Sequence, residues 1–145
     1  MTDPVTFTFG DSRALCDEVL ALVRAGAKTA TCARLAEFTE ESAPMPVVGR
    51  RDIALDWDGA PAVELETREV RLLRFDQMTE AMVRPQAEFR DLAHWQQGYG
   101  AYFRRQGLAA PEAEMIVWER FRLLRDFAAD GSNGPDETNG TERRS

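Results

Sequence analysis

The stretch Arg51–Leu73, RDIALDWDGAPAVELETREVRLL, contains the clearest strand-turn-strand pattern of the chain. Asp58-Gly59 separates two arms rich in alternating apolar and polar residues, and an Asp-Gly pair is typical of the tight turn of a β-hairpin. Along the second arm the apolar residues change from one alternating phase to the other near Arg68-Glu69. Such a slip predicts a β-bulge, which bends a sheet.

The last apolar segment, EMIVWERFRLL (Glu114–Leu124), contains a second slip of the same kind at Glu119-Arg120. Bulges are a common means of curving a sheet or closing it into a barrel. Two of them in a short chain therefore predict a small, strongly curved sheet.

Helical patterns lie on both sides of the hairpin. Asp11–Ala25 and Glu88–Arg105 have apolar residues at three- and four-residue steps, which predicts two amphipathic helices. Thr29–Leu35 reads as a short strand, followed by a proline-broken loop at Glu40–Gly49. The order of elements predicts an α+β fold, a small curved β-barrel flanked by helices.

Length and composition predict one globular domain. The chain has 145 residues, of which 43% are hydrophobic and 30% charged, enough for a single core. Residues 1–127 are predicted to form this domain. Residues 128–145 are rich in Gly, Asn and Asp, and they are predicted to be a disordered tail.

The charge balance restricts the partners that we expect. The net charge of −7 disfavours binding of a DNA duplex, which usually requires a basic stripe, although a local basic pocket could hold one nucleotide or nucleoside. No apolar run reaches the roughly 20 residues of a membrane span, and the N-terminus does not resemble a signal peptide. We expect a cytoplasmic protein without a membrane partner; the sequence does not indicate its oligomeric state.

Neither a metal nor a cofactor is predicted. Cys16 and Cys32 are isolated and read as core residues, although Cys32, beside the lysine motif, has the better claim to reactivity. His94 is the single histidine, and no second ligand stands at metal-binding spacing. The chain also has no phosphate-binding loop and no dinucleotide fingerprint.

The only lysine of the chain, Lys28, lies in GAKTAT (Gly26–Thr31), and every other Lys or Arg residue is arginine. Lysine can lose its proton when buried, which arginine effectively cannot do. A neutral lysine could take the hydroxyl proton of Thr31 and create a nucleophile. Alternatively, Lys28 is a charge at a helix end and Thr31 a strand former. In an extended segment these two side chains point to opposite faces, so they meet only if the chain bends between them.

Four segments together resemble an ASCH-domain protein of the YhfF-like branch, with a likeness that runs from Phe7 to about Leu124. The segments are FGDSRALCDEVLALVRAGAKTATCARLAEF, PMPVVGRRDIALDWDGAPAVELETREVRLLRFDQMTE, DLAHWQQGYGAYF and EMIVWERFRLL. The resemblance implies a PUA-like β-barrel flanked by helices. It also implies that the motif G-x-K-x-x-T lies in a cleft proposed to bind RNA or nucleosides.

The resemblance further implies candidate catalytic residues. In the branch of the family that removes the acetyl group from acetylcytidine, the motif lysine and threonine are catalytic, together with a glutamate before the second long helix. Lys28 and Thr31 match the first two positions directly. Glu88, in RPQAEF, matches the glutamate after a shift of one or two residues, where many relatives have a run of the EGEGD kind.

Four residues are candidates for substrate binding. Arg34 stands one position after the place where the amidohydrolase has an arginine, at Ala33 here. Glu64, on the polar face of the second hairpin arm, is the alternative carboxylate. Trp95 and Tyr99 are expected at a cleft wall, where aromatic rings can stack on a base.

These residues lead to three functional hypotheses. The first is a protein acting on RNA or nucleosides, with hydrolysis of the acetyl amide of acetylcytidine-like substrates as the most concrete chemistry. The others are a non-catalytic RNA-binding module and a metal-independent ribonuclease. A modified nucleoside or RNA is the expected partner in each.

Overall fold

The computed structural model describes residues 5–40, 44–128 and 142–144. Within them, one six-stranded sheet has the order β2-β5-β4-β3-β1-β6 and curls into a half-barrel. β1 runs parallel to β3 and β6, whereas the other neighbouring strands are antiparallel. The strands are β1 (Val5–Phe9), β2 (Ala30–Arg34), β3 (Arg51–Leu55), β4 (Pro61–Arg74), β5 (Met115–Asp126) and β6 (Glu142–Arg144).

Four α-helices flank this sheet, so the predicted α+β fold with a curved sheet is confirmed. Three short 3₁₀ turns, at Phe75–Gln77, Arg84–Gln86 and Pro111–Ala113, complete the described elements. The helices are α1 (Arg13–Arg24), α2 (Leu35–Thr39), α3 (Glu80–Val83) and α4 (Leu92–Arg105).

The predicted hairpin and its first bulge are confirmed. β3 and β4 pair in antiparallel fashion around a turn in which Gly59 has a φ of +90°, a conformation that glycine adopts without cost. In β4 the register with β5 shifts between Thr67 and Glu69, so Arg68 is the inserted residue. This bulge curls the sheet at the predicted place.

The second bulge was predicted in the wrong place. Glu119-Arg120 lies opposite the bulge of β4 without an inserted residue of its own, and the irregularity of β5 lies at Leu124. The apolar phase changes along β5 because each face of the sheet is covered by a helix along only part of this strand. Trp118 packs in the cluster beneath α4, and Phe121 packs in the cluster beneath α1.

Helix α1 confirms the first predicted helix. The Ser12 hydroxyl accepts a hydrogen bond from the Leu15 amide (3.2 Å), and Gly26 follows the helix with a φ of +79°. Its inner face packs against the sheet and buries Cys16, Val19, Leu20 and Val23. Cys16 and Cys32 are both buried, as their interpretation as core residues requires.

Helix α4 begins at Leu92, four residues after the predicted start at Glu88. The Asp91 carboxylate accepts a hydrogen bond from the His94 amide (2.8 Å) and caps the helix there. The preceding residues belong to a separate turn that the helical periodicity did not reveal. The aromatic side chains of α4 pack with β2 and β5 in one buried cluster.

Two further differences concern the connecting segments. The chain after β2 forms the short helix α2, which the sequence did not predict. Within the predicted disordered tail, residues 129–141 and 145 lie outside the described residues, and Glu142–Arg144 form β6 beside β1. In the described part of the chain, no helix has the length and apolar character needed to cross a membrane.

Candidate functional site

Lys28 is placed by the end of α1. After Gly26 the chain turns back, and the amides of Ala27 and Lys28 both donate hydrogen bonds to the Leu22 carbonyl (3.0 and 3.1 Å). The Lys28 side chain then runs into the protein, and the residue is only 1% exposed. A solvated helix-end charge would not be buried in this way, because burying an ammonium is costly unless a partner compensates for it.

The partner of Lys28 is Glu88. The lysine Nζ donates a hydrogen bond of 2.6 Å to Glu88 Oε2 and a second one of 3.2 Å to the Gln86 carbonyl. The lysine side chain has no exposed surface, whereas that of Glu88 is 9% exposed. A charge-assisted hydrogen bond between two groups so well shielded from solvent is strong, and it fixes the geometry of both groups.

The turn that carries Glu88 is held from several sides. The Thr29 amide donates to the Pro85 carbonyl (2.7 Å), which joins the turn to the start of β2. The fully buried Gln86 side chain donates to the Met82 carbonyl (2.9 Å) and accepts from the Trp95 indole (3.1 Å). These bonds leave little freedom in the backbone before Glu88.

Ala87 is the strained residue of this turn. Among the described residues it is the only non-glycine residue with a positive φ, at 63°. An L-residue in this left-handed conformation costs about 1 kcal/mol, and such strain often marks functional sites. Here the strained residue directs the next side chain, Glu88, toward Lys28.

Glu88 opens onto a cleft of about 200 Å³ between α1, α4 and the turn. Phe89, Tyr99 and Tyr102 give the cleft aromatic walls, with ring centroids 5.6 and 6.0 Å apart along this series. Gly98 makes room for the first ring, because a Cβ atom there would lie 2.6 Å from Phe89 Cε1. The lining residues are Leu15, Glu18, Glu88, Phe89, Gly98, Tyr99, Tyr102 and Arg105.

Arg105 supplies a cation at the rim of the cleft. Its guanidinium lies 5.3 Å from the centroid of the Tyr102 ring and donates a hydrogen bond to Asp11 (3.3 Å). Burial raises the pKa of the Tyr102 hydroxyl to about 12, and the nearby carboxylates of Glu37 and Asp11 act in the same direction. The phenol therefore stays neutral at physiological pH and can donate a hydrogen bond.

The structure places the side chain of Thr31 away from that of Cys32. Successive side chains of a strand point to opposite faces, and the register sets Thr31 directly across from Glu119 of β5. Glu119 is buried and accepts a hydrogen bond from the Thr67 hydroxyl (2.8 Å). Thr31 thus lies beside a second buried carboxylate, and it is not among the residues that line the cleft.

Cys32 lies close to the Lys28–Glu88 pair. Burial raises the pKa of its thiol strongly, and the positive charge of Lys28 opposes this only in part. A thiolate is the reactive form of cysteine, so the protonated thiol of Cys32 is suited to packing.

Of the two predicted aromatic residues, Tyr99 lines the cleft and Trp95 lies beneath it. The Tyr99 hydroxyl donates a hydrogen bond of 3.4 Å to the Cys32 carbonyl. Trp95 has no exposed surface and packs between Phe75 and Tyr99, with centroid distances of 4.7 and 5.1 Å. Its indole supports the turn through Gln86 and has no open face for a base.

The remaining candidates lie outside the cleft lining. Arg34 precedes α2 and forms an ion pair with Glu114 (3.2 Å). Glu64 lies in the middle of the sheet, across from Ile53 on one side and Arg125 on the other.

The sequence interpretation missed Tyr102 and Arg105 as cleft residues. A signal for them was present, because Gly98, Tyr102 and Arg105 follow one another at steps of four and three residues and therefore share one helix face. Gln86 carried no comparable signal, since its role depends on contacts with Met82 and Trp95 that only the folded chain creates.

A curled half-barrel flanked by helices is a PUA-like fold. The family model of the ASCH domain matches residues 5–125, and the chain therefore belongs to the ASCH domain family.

Solved structures agree with this fold. The ASCH domain from Lactobacillus crispatus JV V101 is 24% identical, with a TM-score of 0.75 over 84% of this chain and 80% of that one. A protein from Enterococcus faecalis V583 is 23% identical, with a TM-score of 0.80 over 97% and 88%. An ASCH protein variant from Zymomonas mobilis is 13% identical, with a TM-score of 0.52 over 84% and 71%. A comparison with curated proteins gave no match.

Proposed function

We propose that this ASCH protein hydrolyses the acetyl amide of acetylcytidine-like nucleosides in the cleft beside Glu88. The observation that carries the proposal is the 2.6 Å contact between Lys28 Nζ and Glu88 Oε2, with the carboxylate open to the cleft and the ammonium behind it. A fixed carboxylate at the floor of a small cleft is a suitable general base.

The size and lining of the cleft support a single modified base as the substrate. A volume of about 200 Å³ suits one pyrimidine ring with its acyl group better than a folded nucleic acid. Phe89 and Tyr99 supply aromatic surface, on which bases commonly stack. Arg105 at the rim can donate a hydrogen bond to a polar group of the ligand.

In the proposed reaction, Glu88 accepts a proton from a water molecule as the water oxygen bonds to the acetyl carbonyl carbon. The tetrahedral intermediate collapses, the carbon–nitrogen bond breaks, and the proton passes from Glu88 to the leaving exocyclic amine. The products are acetate and cytidine. Lys28 is a positioning residue, because its buried ammonium reaches the substrate only through Glu88.

The alternative role of Thr31 as nucleophile stays a prediction. In that reaction the Thr31 hydroxyl would attack the acetyl group, form an ester and release cytidine before water removes the acetate. The substitution Thr31→Val separates the two routes, because it removes the hydroxyl and leaves Lys28 and Glu88 in place. Full activity of this variant supports water as the nucleophile.

The test is release of cytidine from acetylcytidine by the purified protein, followed by chromatography. Glu88→Gln is expected to lower kcat by about 10²- to 10⁴-fold, as loss of a general base does. Glu18→Gln is the matched control, since Glu18 is a second cleft carboxylate outside the Lys28 pair. Lys28→Met should lower kcat with little change in KM, as expected of a positioning residue.

Absence of cytidine release by the wild type, or equal release by Glu88→Gln, contradicts the proposal. Binding without turnover that weakens steeply with salt would indicate a phosphate-binding module instead. A neutral acetylated nucleoside should bind with almost no dependence on salt.

A further inference from the structure

The sheet carries a basic surface that is separate from the cleft. On β3, β4 and β5, residues directly across from one another share a face, and one such row contains Arg51, Glu66 and Arg122. Beyond the bulge, Glu69 and Arg120 form the next row of the same face. We define the arginine face as Arg51, Arg68, Arg71, Arg120, Arg122 and Arg125 with Glu64, Glu66 and Glu69.

Two glutamates of the arginine face form ion pairs with four of its arginines. Glu66 forms ion pairs with Arg68 (3.3 Å) and Arg122 (3.0 Å). Glu69 does the same with Arg71 (2.6 Å) and Arg120 (3.2 Å), which lowers the pKa of the Glu69 carboxyl. Each carboxylate therefore holds two guanidinium groups in a defined orientation.

The guanidinium groups remain available to a ligand. The side chains of Arg68, Arg71, Arg120 and Arg122 are 47, 62, 46 and 58% exposed. A guanidinium has five N–H donors, more than these glutamate contacts use. The arginine face therefore presents oriented, solvent-facing donors.

The charge of this face is opposite to that of the whole protein. It holds six arginines and three glutamates, in a chain whose net charge is −7. A local positive field on an acidic body concentrates anions at one place and repels them elsewhere. The low overall charge thus does not exclude an anion-binding surface here.

We propose that the arginine face binds the phosphate backbone of single-stranded RNA. Side chains two residues apart on a strand are about 6.6 Å apart, so the rows offer repeated cations along an extended chain. Arginine also binds phosphate with two parallel hydrogen bonds and stacks on unpaired bases. Surfaces that bind membranes combine basic residues with a strip of exposed apolar ones, whereas this face alternates arginine with glutamate.

The test is fluorescence anisotropy with a labelled single-stranded RNA of about 12 nucleotides, within the usual range of site sizes. The variant Arg120→Gln/Arg122→Gln leaves Arg71 and Arg68 to neutralise Glu69 and Glu66. Its binding should be weaker at every salt concentration. The plot of log K against log salt has a negative slope of roughly 0.7 per phosphate contact for single strands. Loss of two contacts should therefore make this slope shallower by about 1.4.

The matched control is Arg13→Gln/Arg74→Gln. These arginines are 58 and 52% exposed, each is paired with an aspartate, and neither belongs to the arginine face. The control loses the same charge but should keep the wild-type slope. Thermal unfolding of both variants verifies that they are folded.

RNA binding by the arginine face can be tested separately from the proposed hydrolysis in the cleft. Arg120→Gln/Arg122→Gln should keep full turnover of acetylcytidine, and Glu88→Gln should keep full affinity for the RNA. The proposal is overturned if the wild type does not bind the RNA, or if both double variants lose the same affinity. Tighter binding to a duplex of the same sequence or to phosphatidylserine vesicles overturns it as well.

Discussion

The two members of the Lys28–Glu88 pair should differ in their importance for stability. Glu88→Leu removes the counter-charge of a fully buried ammonium, which keeps its 3.2 Å hydrogen bond to the neutral Gln86 carbonyl. Lys28→Met leaves a carboxylate at the cleft, where water can reach it and replace the lost donor. Removal of the glutamate should therefore destabilise the fold more than removal of the lysine.

The size of each effect follows from burial. Breaking a buried ion pair costs about 3–5 kcal/mol when the remaining charge stays dry, so we expect about 4 kcal/mol for Glu88→Leu. We expect about 2 kcal/mol for Lys28→Met, in the range for an unsatisfied polar group that is partly hydrated. The double variant Lys28→Met/Glu88→Leu exchanges both charges for apolar groups and should cost only about 1 kcal/mol.

Urea unfolding measures all three variants. With an m-value of about 2 kcal/mol/M, Glu88→Leu should lower the midpoint by about 2 M, Lys28→Met by about 1 M and the double variant by about 0.5 M. Equal losses for the two single variants would refute the difference in hydration. A double variant as unstable as the sum of the singles would refute the coupling itself.

Three further predictions concern the cleft and its turn. Ala87→Gly should raise the free energy of unfolding by about 0.5–1 kcal/mol in urea, because glycine accepts the left-handed φ; a loss of stability would mean that the backbone is not strained. Gly98→Ala should lower it by about 1–3 kcal/mol through the clash with Phe89 and reduce ligand affinity, and an unchanged midpoint would contradict the packing. The Tyr102 phenol should titrate near pH 12 in absorbance at 295 nm, since its folded pKa is raised; this contribution to stability is complete below pH 10 and is lost as the pH rises to about 12. A titration near pH 10 that disappears in Tyr102→Phe would disprove the effect of burial.

Local patterns were sufficient for the elements whose residues interact with near neighbours in the chain. The hairpin at Asp58-Gly59, helix α1 and the bulge at Arg68 all depend on turn chemistry, capping or alternation, which a sequence displays directly. The opposite orientation of residues 28 and 31 was likewise expected from strand geometry.

Other features depend on the folded environment. The second bulge was misplaced because the apolar phase of β5 reports which face is covered, and this changes along the strand without an inserted residue. The start of α4 was missed because Ala87 adopts a conformation that alanine rarely has. That same conformation brings Glu88 to Lys28 across 60 residues of sequence.

The turn at residues 84–88 also lies against one edge of the sheet. β2 is the end strand of the sheet, and end strands can pair with those of another molecule. The Pro85 carbonyl occupies the Thr29 amide at the start of this strand, and the Tyr99 hydroxyl occupies the Cys32 carbonyl. Substitutions that loosen the site should therefore expose unpaired backbone groups of β2, which another molecule can pair with. We expect such variants to aggregate during expression.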